Sequence, residues 1–310
     1  MATRNNNIKY ALVTGATSGF GYEFCKLFAA DGYNLIMVAR SEERLQIISG
    51  EIITQYGVEV LPLSADLFQH HTAEGIYETV KEQGIVVDVL VNDAGQGEHG
   101  LFVETDLQRE LDIIQLNVSS LVSLTKFFLK DMVARNEGKI LQVASVLAVY
   151  PTPLMAVYAA SKAFVLAFTE SLINELKNTN VTMTALLPGA SDTDFFHKAG
   201  AEESYTYQKT TLSDPEQVAK DGYDALMKGE RKIVSGLKNK MQAAMTNVMP
   251  DSALAGMMEK QMKPSEEFKK EGAEHRASRE EREMIQNASN SFEGRDLSGN
   301  EGESSNENIR

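Results

Sequence analysis

Between Tyr10 and Gly236 short apolar runs alternate with longer stretches of helical spacing, which restricts the chain to folds built from βαβ units around a parallel sheet. The runs are YALVTG, NLIMVA, VEVLPL, VDVLVN, KILQVAS, VTMTALL and RKIVSG. Apolar residues follow one another in them without strict alternation, the pattern of strands covered on both faces. Between them the spacing predicts helices over Tyr22–Ala30, Glu42–Tyr56, Thr72–Gln83, Leu107–Arg135, Val157–Leu176 and Pro215–Met227. Ser213, Asp214 and Pro215 supply the cap and first-turn proline of the last. The expected fold is α/β, a single doubly wound domain on a parallel sheet of about seven strands.

After Leu237 the pattern changes. Met241, Met245 and Met249 recur at helical spacing, followed by Met257, Met258 and Met262, so two short amphipathic helices are expected over 237–262 as the end of a domain covering 1–262. Residues 263–310 are rich in Glu, Ser, Asn and Gly and are expected to form a disordered acidic tail, because they hold too little apolar surface to offset the entropy of ordering. A net charge of -14 argues against nucleic acid as a main partner, since the overall field repels phosphate. No run reaches the roughly 18 uninterrupted apolar residues of a membrane span. MATRNNNIKY carries no apolar segment, and the single cysteine, Cys25, has no internal disulfide partner, so a cytoplasmic location is expected.

The first strand runs into Thr14-Gly15-Ala16-Thr17-Ser18-Gly19-Phe20-Gly21, followed by a helix whose Phe24, Leu27 and Phe28 form an apolar face. Glycines allow a tight turn and close backbone approach, while the free N–H groups and positive end of the helix favour a pyrophosphate. This is the opening of a Rossmann-like dinucleotide site, although the spacing is Gly-x-x-x-Gly-x-Gly and not Gly-x-Gly-x-x-Gly. An acidic residue closing the second strand would accept hydrogen bonds from an adenosine ribose and select NAD(H). Here that strand ends in Arg40 and Ser41, which suit a ribose 2′-phosphate and so favour NADP(H) over NAD(H).

Tyr158 and Lys162 stand four apart in YAASK at the start of a predicted helix, on one face. A neighbouring ammonium stabilises phenolate and allows a tyrosine to exchange a proton with a substrate oxygen. Tyr-x-x-x-Lys is common by chance, so its setting carries the argument. Ser145 ends the run KILQVAS at the carboxyl edge of the sheet, where ligands bind and where a hydroxyl can orient a carbonyl. Asn117 lies in the long helix before that strand.

TGATSGFG, NDAG at 92–95, Asn117, Ser145, YAASK and PGASDT at 188–193 occur in the order seen in the short-chain dehydrogenase/reductase family, which the chain resembles from about Lys9 to Gly236. Its Ala-Arg after the second strand and TDFF at 193–196 are similar to an NADP-preferring subgroup. The resemblance implies Tyr158 as proton donor or acceptor, Ser145 as carbonyl orienter, Lys162 on the nicotinamide ribose and Asn117 in a proton relay. Gly15, Thr17, Ser18, Gly19, Phe20 and Gly21 would hold the pyrophosphate, and Asp66 would lie beside the adenine. It further implies Asn92, Ala94 and Gly95 along the ribose, with Pro188, Gly189 and Thr193 facing the nicotinamide. One departure is Asp93, where Asn is common. The implied activity is NADP(H)-dependent interconversion of a small-molecule carbonyl and its alcohol, in a homodimer or homotetramer. An NADP(H)-binding interaction protein and a ketoacyl-carrier-protein reductase stand as alternatives. Cys25 reads as a core residue, and the scattered histidines assemble no metal site. Phe195, Phe196, Tyr205 and Tyr207 fall in a connection long enough to act as a lid or to anchor itself.

Overall fold

The computed structural model describes residues 8–247 and 249–264, so the expected tail lies outside the described residues except at its start. Residues up to Lys263 form one compact unit. Seven strands make a single sheet in the order β3-β2-β1-β4-β5-β6-β7, all parallel. They are β1 (Tyr10–Thr14), β2 (Asn34–Ala39), β3 (Val60–Ser64), β4 (Val87–Asn92), β5 (Gly138–Val143), β6 (Val181–Leu187) and β7 (Lys232–Val234).

Both faces of the sheet are covered, which is why the strand sequences show no polar side. Ala11 and Val13 of β1 turn to one core with Leu35, Met37, Val89, Val91, Leu141 and Val143. Leu12 between them turns to the other with Ile36, Val38, Leu90 and Ile140. The first core is closed by α1 (Gly19–Ala30), α2 (Glu42–Tyr56) and α9 (Pro215–Lys228). Phe24 and Phe28 of α1 are fully buried there, each stabilising the fold by about 1.5–3 kcal/mol. The second core lies under α3 (Thr72–Glu82) and α5 (Leu121–Arg135). Ser41 and Asp214 cap α2 and α9 through their side chains, and Gly57 and Gly229 end them in left-handed backbone.

The helix expected over Leu107–Arg135 is not continuous. It consists of α4 (Leu107–Ile114), a π-helical turn at Gln115–Ser120, and α5. The turn contains Asn117, and π turns concentrate at functional positions. A 3-10 turn at Val146–Val149 follows β5 and leads to α6 (Ala156–Glu175). By length and composition α6 alone among the described residues would suffice to cross a membrane, but it packs on β5 and β6 with Tyr158, Ser161, Lys162, Val165 and Thr169 buried. The connection after β6 holds α7 (Phe195–Ala199) and α8 (Tyr205–Lys209), and the methionine segments form α10 (Leu237–Ala244), a 3-10 turn and α11 (Asp251–Met262). The backbone N–H of Tyr205 donates to the carbonyl of Lys263 and the His99 ring bonds the Met262 carbonyl at 2.8 Å, fixing the end of α11 against the domain.

Candidate active site

The strand order reverses between β1 and β4, and at the carboxyl ends of these strands a cleft of about 980 Å³ opens. Such a switch point is where open α/β sheets bind ligands. Gly15, Thr17, Ser18, Gly19, Phe20, Arg40, Ser41, Asp66, Ala94, Gly95, Ser145, Tyr158, Lys162, Pro188, Gly189 and Thr193 all line it. Gly21, Asn92 and Asn117 do not.

Gly21 lies beneath the turn that it helps close. A Cβ there would stand 2.7 Å from the carbonyl carbon of Gly15 and 2.8 Å from Asp93 Oδ2, so the close approach requires glycine. Gly15 adopts φ +71°, which glycine also favours. Ser18, at the N-cap of α1, makes no side-chain capping bond. Ser18 therefore leaves the N–H groups of Gly19 and Phe20, both of which border the cleft, without a cap from its side chain, as an anion site requires. Thr14 Oγ1 accepts from the backbone N–H groups of Asp93 and Ala94 at 3.0 Å each, tying β1 to the segment after β4.

Asn92 is expected along the ribose, but its side chain turns into the sheet. Its Nδ2 donates to Thr125 Oγ1 at 3.1 Å and Gln142 Oε1 at 3.0 Å, joining β4 to α5 and β5. Ala94 and Gly95 alone of that trio border the cleft. Asp66 Oδ1 accepts from the Phe68 N–H at 3.2 Å, and the Arg40 guanidinium stacks 5.1 Å above the Phe68 ring. The Ser41 hydroxyl accepts from Arg44 N as the cap of α2. Arg44, which sequence reasoning did not single out, also borders the cleft.

At the opposite end, Tyr158 is buried with its hydroxyl hydrogen-bonded to Ser145. Ser145 Oγ also accepts from Leu147 N at 3.1 Å, which fixes the side chain at the start of the 3-10 turn. Lys162 Nζ donates to the Val143 carbonyl at 2.8 Å and lies 5.9 Å from the centroid of the Tyr158 ring. Burial pushes the Tyr158 phenol up to about 12; the Ser145 bond opposes that shift and the Asp93 charge adds to it. Burial lowers the Lys162 ammonium to about 8, and Asp93 opposes the fall. Tyr158 thus holds its proton at neutral pH, beside a lysine that is still mostly charged.

Asn117 acts on backbone. Its Oδ1 accepts from Gln96 N at 3.1 Å, while Nδ2 donates to the Gln96 carbonyl and to Ser161 Oγ, each at 2.9 Å. Ser161 in turn donates to the Tyr158 carbonyl at 2.7 Å, so the π turn clamps the segment after β4 to the first turns of α6. Ser161 lies inside YAASK, where its place was legible though its role was not. Arg109 adds a second clamp on that segment by donating to Gln96 Oε1 at 2.7 Å and to Glu98 at 3.3 Å.

The wall beside Tyr158 is apolar. Met155, Phe195, Leu212, Met258 and Met262 border the cleft, and the Phe195 ring centroid is 4.9 Å from that of Tyr158. Gly189 faces Asn239 of α10, which lies 2.6 Å (Cγ) from where a Cβ would be; α10 closes directly on the Pro188-Gly189 turn. Asn239, Met258 and Met262 reach the site through tertiary packing, and no local motif announces them. Among the described residues no cluster of three His, Cys, Asp or Glu side chains suits a metal.

A family model described as short chain dehydrogenase matches residues 9–204. A very-long-chain 3-oxoacyl-CoA reductase of Anas platyrhynchos is 36% identical over 185 residues, 58% of this chain and 58% of that protein. The match therefore spans less than two thirds of that reductase. A probable NADP-dependent dehydrogenase of Haemophilus influenzae is 34% identical over 219 residues, 67% of this chain and 84% of that protein. Among solved structures, a short-chain dehydrogenase of Sphingobium yanoikuyae in complex with NADPH superposes with a TM-score of 0.70 at 25% identity, covering 78% of this chain and 97% of that one.

Proposed function

Because this chain belongs to the short chain dehydrogenase family, we propose that it is an NADP(H)-dependent oxidoreductase in which Tyr158 exchanges the proton when an apolar ketone and its alcohol are interconverted. The observation that carries the reading is the Tyr158 hydroxyl, held by Ser145 in an apolar wall, with the Lys162 ammonium behind it and an uncapped glycine turn at the far end of the same cleft.

The residues fit a dinucleotide. Gly15 and Gly19, with the open first turn of α1, suit the pyrophosphate, and Arg40 with Arg44 suits a 2′-phosphate. Ala94 and Gly95 leave room at the ribose, since a Cβ at Gly95 would approach Lys162 Nζ to 3.1 Å. When bound, the nicotinamide supplies or accepts the hydride. The chain's own residues do the rest. Ser145 donates to the substrate oxygen and orients it, and Tyr158 gives that oxygen a proton as negative charge develops. Lys162 then stabilises the phenolate left behind. Asn117, by holding Gln96 and Ser161, positions the start of α6 from which Tyr158 and Lys162 project, and the proton of Tyr158 is restored from solvent.

The methionine-lined wall supports an apolar substrate, because a flexible thioether side chain packs against varied apolar shapes. The test is a screen of NADPH oxidation over carbonyl compounds graded by size and polarity. Bulky apolar ketones are expected to turn over ahead of small polar aldehydes. Tight NADPH binding without turnover of any carbonyl, together with a co-purifying protein, would instead favour a cofactor-dependent interaction protein.

Cofactor choice gives a second expected result. Arg40→Ala removes a charge-assisted contact worth about 1.5–3 kcal/mol, so KM for NADPH should rise roughly ten- to hundredfold, with KM for NADH nearly unchanged. An enzyme that prefers NADH before and after the substitution would refute the assignment.

A further inference from the structure

Gly97 is a buried glycine whose backbone does not call for one. Its φ is not positive, so alanine can adopt the same conformation and the effect of an added methyl is decided by space alone. A Cβ there would stand 3.0 Å from Met155 Cε, 3.0 Å from Phe195 Cζ and 3.2 Å from Tyr158 Cδ2. Gly97 itself does not border the cleft, whereas all three of these side chains do. They therefore lie between the glycine and the space beside the Tyr158 hydroxyl, and the missing side chain is what lets them sit back from that space.

The backbone around Gly97 is pinned from several sides. Asn117 bonds both the N–H and the carbonyl of Gln96. Arg109 Nη2 donates to the Gly97 carbonyl at 3.4 Å and to the Lys198 carbonyl of α7 at 3.5 Å. The His99 N–H donates to the carbonyl of Ala199, which ends α7, and the Gly100 N–H to that of Leu154, next to Met155, each at 2.9 Å. Residues 96–100 thus form a seam with α7 on one side and the entry to α6 on the other. The Tyr158 ring is held as well, through its hydroxyl on Ser145. The ends of Phe195 and Met155 are the atoms that can yield to a methyl, and the open direction for them is the cleft.

We infer that Gly97 is a positioning residue that sets substrate size: by leaving room behind Phe195 and Met155, it keeps the space beside Tyr158 wide enough for a bulky apolar ketone. This rests on the reading of Tyr158 given above. A methyl at position 97 narrows that space from behind, without touching the substrate, the glycine turn that suits the pyrophosphate, or the Ser145 hydroxyl. Its effect therefore depends on the size of the ketone, which separates it from a general disturbance of the site.

The test compares wild type with Gly97→Ala in NADPH oxidation over cyclohexanone and benzophenone. The substitution should raise KM for benzophenone about tenfold more than KM for cyclohexanone, the discrimination that one methylene's worth of room gives in an apolar pocket. The ratio of the two kcat values should change far less. Equal losses on both ketones, or none on either, overturn the proposal, because a glycine needed only for folding would not sort substrates by size. If thermal unfolding shows that Gly97→Ala does not fold, Phe195→Leu takes its place. Trimming the ring that crowds the same point should lower KM for benzophenone relative to cyclohexanone, and an unchanged ratio opposes the proposal. A crystal structure of Gly97→Ala supplies a reading that needs no turnover. Phe195 Cζ and Met155 Cε are expected to be displaced into the cleft with Tyr158 in place, and an unmoved pair refutes the inference. Full activity in Tyr158→Phe would remove the proton-transfer reading and leave this displacement to decide Gly97 by itself.

Discussion

Replacing Tyr158 by phenylalanine is expected to lower kcat for carbonyl reduction by about 10³-fold, within the range for loss of a positioned general acid. The substitution removes one oxygen and little volume. The ring keeps its contact with Phe195, and the turn at Gly15–Gly21 is untouched, so the NADPH dissociation constant measured by fluorescence should stay within about threefold, under one hydrogen bond's worth. Turnover within tenfold of wild type would exclude Tyr158 as proton donor. In the wild type the pH dependence has a definite sign. With the phenol held at about 12 and Lys162 at about 8, reduction draws on a protonated Tyr158 throughout the neutral range. Its rate should decline as pH rises through the lysine's titration. Alcohol oxidation needs phenolate and should gain with rising pH only up to the lysine's titration, beyond which the charge that supports the phenolate is lost.

Gly21→Ala is the second large effect. The added methyl meets the Gly15 carbonyl group, which is backbone and cannot swing aside, and the Asp93 carboxylate Oδ2 beside it. Overpacking of this kind costs about 1–3 kcal/mol, and relief comes only by opening the turn, so NADPH affinity should fall by more than about tenfold, 1.4 kcal/mol or more. The control is Gly50→Ala in α2, where a Cβ meets nothing within 4 Å. Alanine there should stabilise the helix by about 0.5–1 kcal/mol. Thermal unfolding and NADPH titration of the two variants give the comparison. Equal stability and affinity in Gly21→Ala and wild type would show that the turn has slack.

The strands and most helices were legible because each follows a local rule. Each of the seven apolar runs falls on one strand, with β3 and β5 reaching one residue beyond theirs, and Glu42–Tyr56 is helical as the spacing predicts, between a serine cap and Gly57. The residues to which we assign the chemistry are brought together for a different reason: Ser145, Tyr158 and Lys162 sit near element ends whose order the sequence displays, and all three border one cleft. Asn92 marks a limit. The sequence places it at the end of β4, but which way a buried amide turns depends on Thr125 and Gln142, distant in the chain. Arg44 went unread because a basic residue in a first helical turn looks like solvated surface until the cleft beside it is known. The apolar wall was half visible: the methionine spacing indicated helices, but that Met258 and Met262 close on Tyr158 is decided by how α11 returns to the domain.

The π-helical turn has a consequence for how the long helical segment is used. Leu107, Ile114, Leu121 and Phe128 follow one another by sevens, as do Leu111, Thr125 and Met132 with one position between. On an unbroken helix they would form one seam. In the folded chain Leu107, Leu111 and Ile114 are 40–67% exposed, while Leu121, Thr125, Phe128 and Met132 are at most 5% exposed. The wider turn between them shifts the phase of the helix. A single written repeat is thereby divided between two tasks: its second half supports the sheet, its first half is released to the surface, and the residue at the joint is Asn117.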